Sequence, residues 1–266
     1  MARARQWTEE EIRQVLALYL RTPFGRLHAR NPEIIALAEQ LGRTPSAVAL
    51  KACNLAALDD SLPRKEPANT SRLDRAVWEH FLTNPESLLP IHRQQLAQLH
   101  GISPDADQPG LAEEPAEGLA LPPPEATERL VLQRQRLRQD FFRRMVLAAW
   151  NERCALTGLD DPRLLNASHI VPWSDDARNR LNPRNGICLN TLHDRAFDRY
   201  LITFDDDLRM VMANDVPASA RRLLQRVENE RLPLPERFLL RRQTSSNSTA
   251  AASTPASGPH EKTPEA

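Results

Sequence analysis

The stretch Ser168-His169-Ile170-Val171-Pro172-Trp173 places a histidine at the end of an apolar run. Residues 164–171 are rich in apolar and β-branched side chains, which predicts a strand. Pro172 has no amide hydrogen for a strand ladder, so the strand must end before it. An imidazole titrates near neutral pH, and His169 is therefore a candidate general base.

A second set of signals follows within about thirty residues. Asn185-Gly186 predicts a turn, because both residues tolerate positive φ. Residues 187–189 predict a short second strand, and the chain becomes helical from Thr191. Asp194 and Asp198 are four positions apart, so their carboxylates lie on one face of that helix. The predicted order is strand, loop, strand and acidic helix.

This order resembles the HNH nucleases, the ββα-metal class, and is especially similar to the subfamily that reads SHI.PW, NG and FD. The resemblance covers residues 150–213 and implies that His169 is the general base. It implies that Asn185 fixes the loop and helps to orient the histidine. It also implies metal ligands at Asp194 and, one turn later, at Asp198, with His193 as the rival of Asp194.

The residue before the base departs from the family pattern. Many members carry Asp or His there as a first metal ligand, whereas this chain has Ser168. We place Ser168 among the expected metal residues, although a neutral hydroxyl is a poor ligand for a hard divalent cation. The cation would then rest mainly on the helix carboxylates and the DNA phosphate, and oxygen ligands favour Mg²⁺ or Mn²⁺ over zinc. The three cysteines are too scattered for a structural zinc site.

The resemblance implies a metal-dependent DNA endonuclease. Water would attack the phosphodiester in line, the imidazole would take its proton, and the cation would stabilise the leaving 3′ oxygen. The products would carry 5′-phosphate and 3′-hydroxyl ends. By analogy the cellular role is restriction or phage defence. A non-catalytic DNA-binding regulator on a degenerate scaffold is the alternative, supported by Ser168, and an RNA nuclease or toxin is a third interpretation.

Residues 1–100 predict a helical module. Thr8 and Glu11 have the spacing of a capping box, and Asn31-Pro32 and Thr44-Pro45 each predict a helix start. Gly42 predicts the end of the second helix.

The helix, glycine turn and helix of this module resemble helix-turn-helix and Myb-like domains, which usually bind DNA. The resemblance implies that Arg43, Ser46 and Lys51 lie at the start and outer face of a recognition helix and contact DNA. The alternative is a packing module with ordinary surface charges.

The remaining segments complete a predicted α+β fold. Residues 101–126 hold six prolines and six acidic residues without a basic one, which predicts an acidic linker whose two flanking domains move independently. Residues 127–242 predict the nuclease domain, beginning with a long helix to residue 151 and including a hairpin over 201–212. Residues 243–266 have the composition of a disordered tail.

The net charge is zero, but the charge is unevenly distributed along the chain. Residues 127–242 carry 21 arginines against 16 acidic residues, which favours phosphate binding. We expect Arg178, Arg180 and Arg195 to contact DNA. A second copy, paired along the apolar stripe of the long helix, would supply the second nick of a double-strand break.

We expect a cytoplasmic protein without membrane contact. The first residues do not have the pattern of a signal peptide, and the three cysteines suit a reducing compartment. No apolar run approaches the roughly 20 residues that a membrane span needs.

Overall fold

The computed structural model of the chain describes residues 5–59, 69–99, 126–224 and 231–238, with only the backbone for residues 126–128 and 130. The predicted tail lies outside these ranges, and so does the predicted linker except for Ala126, which begins a helix. No helix within the described ranges is both long and apolar enough to cross a bilayer.

Five α-helices make up most of the described N-terminal part, and the caps of the first three follow from the sequence. They are α1 (Glu9–Arg21), α2 (Pro32–Leu41), α3 (Pro45–Ala56), α4 (Arg72–Thr83) and α5 (Leu89–Leu99). The predicted capping box of Thr8 and Glu11 is confirmed, because each side chain accepts from the other residue's amide. The Asn31 and Thr44 side chains cap α2 and α3, and Gly42 ends α2 in the left-handed region with φ of 61°.

One hydrophobic core joins these helices to the long helix α6 (Ala126–Ala149). α1 lies at its centre and contacts α3, α4, α5 and α6. Ile12 and Tyr19 of α1, and Phe141 and Met145 of α6, are all fully buried in this cluster. The expectation that the helical module and the nuclease half move independently was therefore wrong, because separating them would expose a shared core. The boundary near residue 100 stays a prediction.

The segment 231–238 strengthens this union. Arg237 is fully buried, and its guanidinium donates to the carbonyl oxygens of Tyr19 and Thr22 at the end of α1. The ring of Phe238 stacks on Trp78 with 6.0 Å between centroids. A segment late in the chain thus closes over helices that come first.

The ββα unit has the predicted order. β1 (Leu165–His169) pairs antiparallel with β2 (Gly186–Asn190), and α7 (Thr191–Asp198) follows directly. The predicted hairpin is formed by β3 (Ile202–Phe204) and β4 (Met210–Met212), and α8 (Ala218–Leu224) comes after it. Together with the helical N-terminal part, this confirms the α+β class.

Gly186 is needed for a reason that the sequence did not suggest. The predicted turn is present at Pro183–Asn185, but Gly186 has φ of −129° and begins β2 in an extended conformation, so its tolerance of positive φ is not used. A Cβ at this position would lie 2.3 Å from Cγ2 of Val146 on α6. The glycine therefore allows the hairpin to approach the long helix closely.

Candidate functional site

The hairpin lies between two helices, since β1 and β2 both contact α6 and α7. His169 ends β1, and its imidazole stacks on Phe142 of α6 with 3.8 Å between ring centroids and 11° between planes. The Trp173 ring lies perpendicular to the same imidazole, with 5.4 Å between centroids and 90° between planes. These two rings fix the plane of the imidazole.

The hydrogen bond of His169 determines its tautomer. Nε2 lies 3.1 Å from the carbonyl oxygen of Arg180. A carbonyl only accepts, so Nε2 carries the hydrogen and Nδ1 holds the free lone pair. Among the described residues no group hydrogen bonds to Nδ1, and this atom is not sealed from solvent. Burial lowers the pKa of His169, although the Arg180 carbonyl and the charge of Asp194 act in the opposite direction. The ring is therefore neutral near pH 7 and able to accept a proton.

Asn185 ties the two ends of the loop together. Its side-chain oxygen accepts from the amide of Val171 at 2.8 Å, and its Nδ2 donates to the Val171 carbonyl at 3.1 Å. The same Nδ2 donates to the carbonyl of Asn179 at 3.3 Å, and the Asn185 backbone accepts from the Ile170 amide at 2.9 Å. The buried amide thus holds the chain directly after His169.

The carboxylate of Asp194 is fixed against β1. The hydroxyl of Ser168 donates to its Oδ1 at 2.5 Å, and Nδ2 of Asn166 donates to its Oδ2 at 2.7 Å. Asn166 and Ser168 are two apart on a strand, so they share the face that meets α7. Ser168 is buried, and its hydroxyl supports Asp194 instead of presenting itself as a free ligand, which differs from its expected role.

Asp198 lies one turn further along α7 and is close enough to Asp194 for the two charges to interact. Burial raises the pKa of Asp198 and so does the charge of Asp194, whereas Arg195 and Arg199 oppose the shift. A divalent cation between the two carboxylates would remove this repulsion.

The donor set fits a hard cation. The described residues contain no group of three or more His, Cys, Asp or Glu side chains arranged to hold a metal ion. Two carboxylates leave coordination positions for water and substrate phosphate, which is the pattern that Mg²⁺ accepts and structural zinc does not.

His193, the rival of Asp194, is held at the start of α7. Its side chain is buried, and Nδ1 donates to the Asn190 side-chain oxygen at 2.8 Å. Nε2 is buried without a hydrogen-bond partner in the described structure, and burial lowers the pKa of this ring. Asp194, in contrast, faces β1, where it accepts from Ser168 directly before His169.

The residues expected at the recognition helix have other partners. Nζ of Lys51 lies 2.9 Å from both carboxylate oxygens of Asp74, and both side chains are buried. The Arg43 guanidinium contacts Glu11 at 2.8 Å and covers the Trp7 ring at 3.7 Å. The predicted outer-face position was wrong for Lys51, which is buried on Asp74. Arg43 lies directly before α3 as expected, but its guanidinium has Glu11 as carboxylate partner.

The other expected DNA contacts fall into two groups. Ser46, Arg178 and Arg195 are exposed. Arg180 is half-buried, and its Nε donates to the Trp173 carbonyl at 2.8 Å while the guanidinium lies 5.2 Å from the Trp173 ring. Arg180 therefore builds the loop around His169, with its carbonyl and its side chain both engaged.

Sequence reasoning missed three contributors to the site. Asn166 carried a usable signal, because the strand period places it on the face of Ser168. Phe142 belongs to α6 and is distant from His169 in the sequence, so no local pattern connects the two residues. The Arg180 carbonyl is backbone, so residue type carries no information about it.

Comparison with known proteins gives one finding on this region. A family model described as HNH endonuclease matches residues 154–205, which include β1, β2 and α7. No curated protein matches the chain.

Proposed function

We propose that this chain, which matches an HNH endonuclease family model over residues 154–205, is a metal-dependent DNA endonuclease. His169 acts as general base, and Asp194 and Asp198 hold one divalent cation, Mg²⁺ or Mn²⁺. The products carry 5′-phosphate ends. A role in restriction or phage defence and a cytoplasmic location are further parts of the proposal, as is pairing of two copies for double-strand cleavage.

One observation carries the proposal. The hydroxyl of Ser168, the residue directly before the base, donates to Asp194 on α7 at 2.5 Å. The end of β1 and the acidic face of α7 therefore meet, and the Asp194 charge acts on the His169 imidazole. A base and an oxygen-rich cation site side by side are what phosphodiester hydrolysis needs.

Each residue then has a defined task. The Arg180 carbonyl holds Nε2–H of His169, so Nδ1 is free to accept a proton from the attacking water. The Phe142 and Trp173 rings hold the imidazole plane in place. Asn166 and Ser168 hold the Asp194 carboxylate in one orientation.

A bound cation would supply stabilisation of the charge that develops on the phosphate and the leaving 3′ oxygen. Exposed Arg178 and Arg195 lie on the loop and on α7 and would contact DNA phosphates. Ser46 stays in the proposal as an exposed contact, whereas Arg43 and Lys51 do not, since both are occupied by internal carboxylates.

Nicking of supercoiled plasmid by the full chain tests the proposal. We expect relaxed product with Mg²⁺ or Mn²⁺, none with EDTA, and about a thousandfold less from His169→Ala. The new ends should be substrates for a ligase without prior kinase treatment, because they carry 5′-phosphates. A protein that binds plasmid but yields no product under any metal condition would be the non-catalytic regulator instead.

A further inference from the structure

Tyr200 has an unusual backbone conformation for its residue type. It follows α7 with φ of 57°, in the left-handed region that glycine adopts at helix ends. Its amide donates to the Phe197 carbonyl at 3.0 Å, and the Leu201 amide donates to the Ala196 carbonyl at 2.9 Å. The turn is well formed, yet a bulky side chain in this region is strained.

The other described non-glycine residues with positive φ have a compensating feature. Phe238 is 1% exposed and stacks on Trp78, and Leu208 packs against the core. Asn151 is of a type that tolerates this conformation. Glu152 pairs with Arg26 at 2.8 Å.

Packing does not provide such a feature for Tyr200. The residue is 69% exposed, and within the described residues its ring makes no hydrogen bond or ring contact. Backbone strain without a packing gain is found where a side chain serves a ligand.

The position of Tyr200 indicates which ligand. It comes two residues after Asp198, so its Cα lies within about 7.6 Å of the Asp198 Cα. Exposed Arg195 and Arg199 precede it on the same short segment. A cationic surface beside an exposed aromatic ring is the combination that binds single-stranded or locally unpaired nucleic acid.

We propose that Tyr200 stacks on a nucleobase next to the scissile phosphate and so sets the position of the DNA strand at the site. This proposal rests on the proposed endonuclease function. Stacking needs an accessible base face, so the contact favours unpaired or distorted DNA over regular duplex.

Three substitutions of Tyr200 separate the effect of the aromatic ring on DNA binding from the effect of the backbone strain on stability. Tyr200→Phe keeps both, Tyr200→Leu keeps the Cβ but removes the ring, and Tyr200→Gly removes both. Each is made in the full chain with His169→Ala, so that binding is measured without cleavage. The probe is a fluorescein-labelled 20-nucleotide single strand of mixed sequence, followed by anisotropy with Ca²⁺ present.

We expect Kd to depend on whether the aromatic ring is present, and Tm to depend on whether residue 200 has a Cβ. Tyr200→Leu and Tyr200→Gly should each weaken binding about tenfold, and Tyr200→Phe should bind within about twofold. Tyr200→Gly alone should raise Tm by about 3 °C as the strain is released. The control Phe24→Leu, an exposed aromatic on the helical part, should leave Kd unchanged.

Equal affinity of the Phe, Leu and Gly variants would overturn the stacking proposal. Plasmid cleavage by the chain with His169 intact, tested in parallel, separates this failure from that of the endonuclease function. If the Tyr200 protein binds no DNA and the intact chain cleaves none, both proposals are wrong.

Discussion

The helical part and the ββα unit use their basic side chains in opposite ways. In the helical part, Lys51 is buried against Asp74 and Arg43 lies between Glu11 and the Trp7 ring. In the ββα unit, Arg178 on the loop after His169 and Arg195 next to Asp194 in the chain are exposed. The same residue types therefore stabilise the fold in one region and are available to a polyanion in the other.

This difference shows that a basic residue on a predicted recognition helix is weak grounds for DNA binding. What decides whether a basic side chain can bind DNA is whether it already forms an ion pair with a carboxylate of the same protein. Substitutions in the two regions should accordingly affect different measurements, folding in the first and catalysis or binding in the second.

The largest effect is expected at His169, the proposed general base. His169→Ala should lower plasmid cleavage about a thousandfold, because proton transfer from water loses its acceptor. Binding to the same DNA should stay within about twofold, and the urea midpoint should change little. A variant that cleaves at the wild-type rate would remove His169 from the mechanism.

Lys51→Met should show the opposite profile. It leaves the buried Asp74 carboxylate without its partner, which costs about 3–5 kcal/mol of unfolding free energy. Urea denaturation measures this loss, and Arg195→Ala is the matched control, with a change within about 0.5 kcal/mol. Equal stability of the two variants would contradict the division between the regions.

Asn166→Ala tests whether the strand supports Asp194, the proposed cation ligand. Loss of its bond to Asp194 should weaken Mn²⁺ binding about 10–100-fold, as measured by electron paramagnetic resonance. Asn182→Ala, a loop change away from the carboxylates, serves as control. The support role would be refuted if both variants bound Mn²⁺ alike.

Arg195→Ala and Arg178→Ala should each weaken DNA binding several-fold at low salt and reduce the slope of log K against log salt by about one. Titrations at several salt concentrations provide both numbers. An unchanged slope would mean that these side chains do not meet phosphates.

The smallest effect concerns acid stability of the helical part. Burial raises the pKa of Glu11, but bonds from Arg43 and the Thr8 amide, and the charges of Arg43 and Arg5, outweigh it and hold the pKa at about 2. A depressed carboxyl pKa gives stability that is present above the ordinary value of 4.5 and is lost as the pH falls from there towards 2. Glu11→Gln should therefore lower stability at pH 7 and flatten its pH dependence in that window, as followed by circular dichroism.

The sequence predicted what local patterns determine. Thr8, Asn31 and Thr44 predicted the helix N-caps that the structure shows. The spacing from His169 through Asn185 to Asp194 predicted the ββα order. These features depend on neighbours within a few residues or on a family motif.

Contacts between segments that are distant in the sequence could not be predicted from the sequence. Three such contacts each join residues more than twenty positions apart. They are the stacking of Phe142 on His169, the buried ion pair of Lys51 and Asp74, and the hydrogen bonds of Arg237 to α1. Residue type alone does not reveal such partners, because the sequence does not distinguish a buried, paired arginine from an exposed one.

Chemical rescue of plasmid cleavage tests most directly whether base and cation site act on one phosphate. His169→Gly leaves a space between the Phe142 and Trp173 rings that free imidazole fits. With Mn²⁺ present, we predict that added imidazole restores cleavage to His169→Gly but not to His169→Gly combined with Asp194→Asn. Rescue of equal size in both proteins would contradict the joint action of His169 and Asp194.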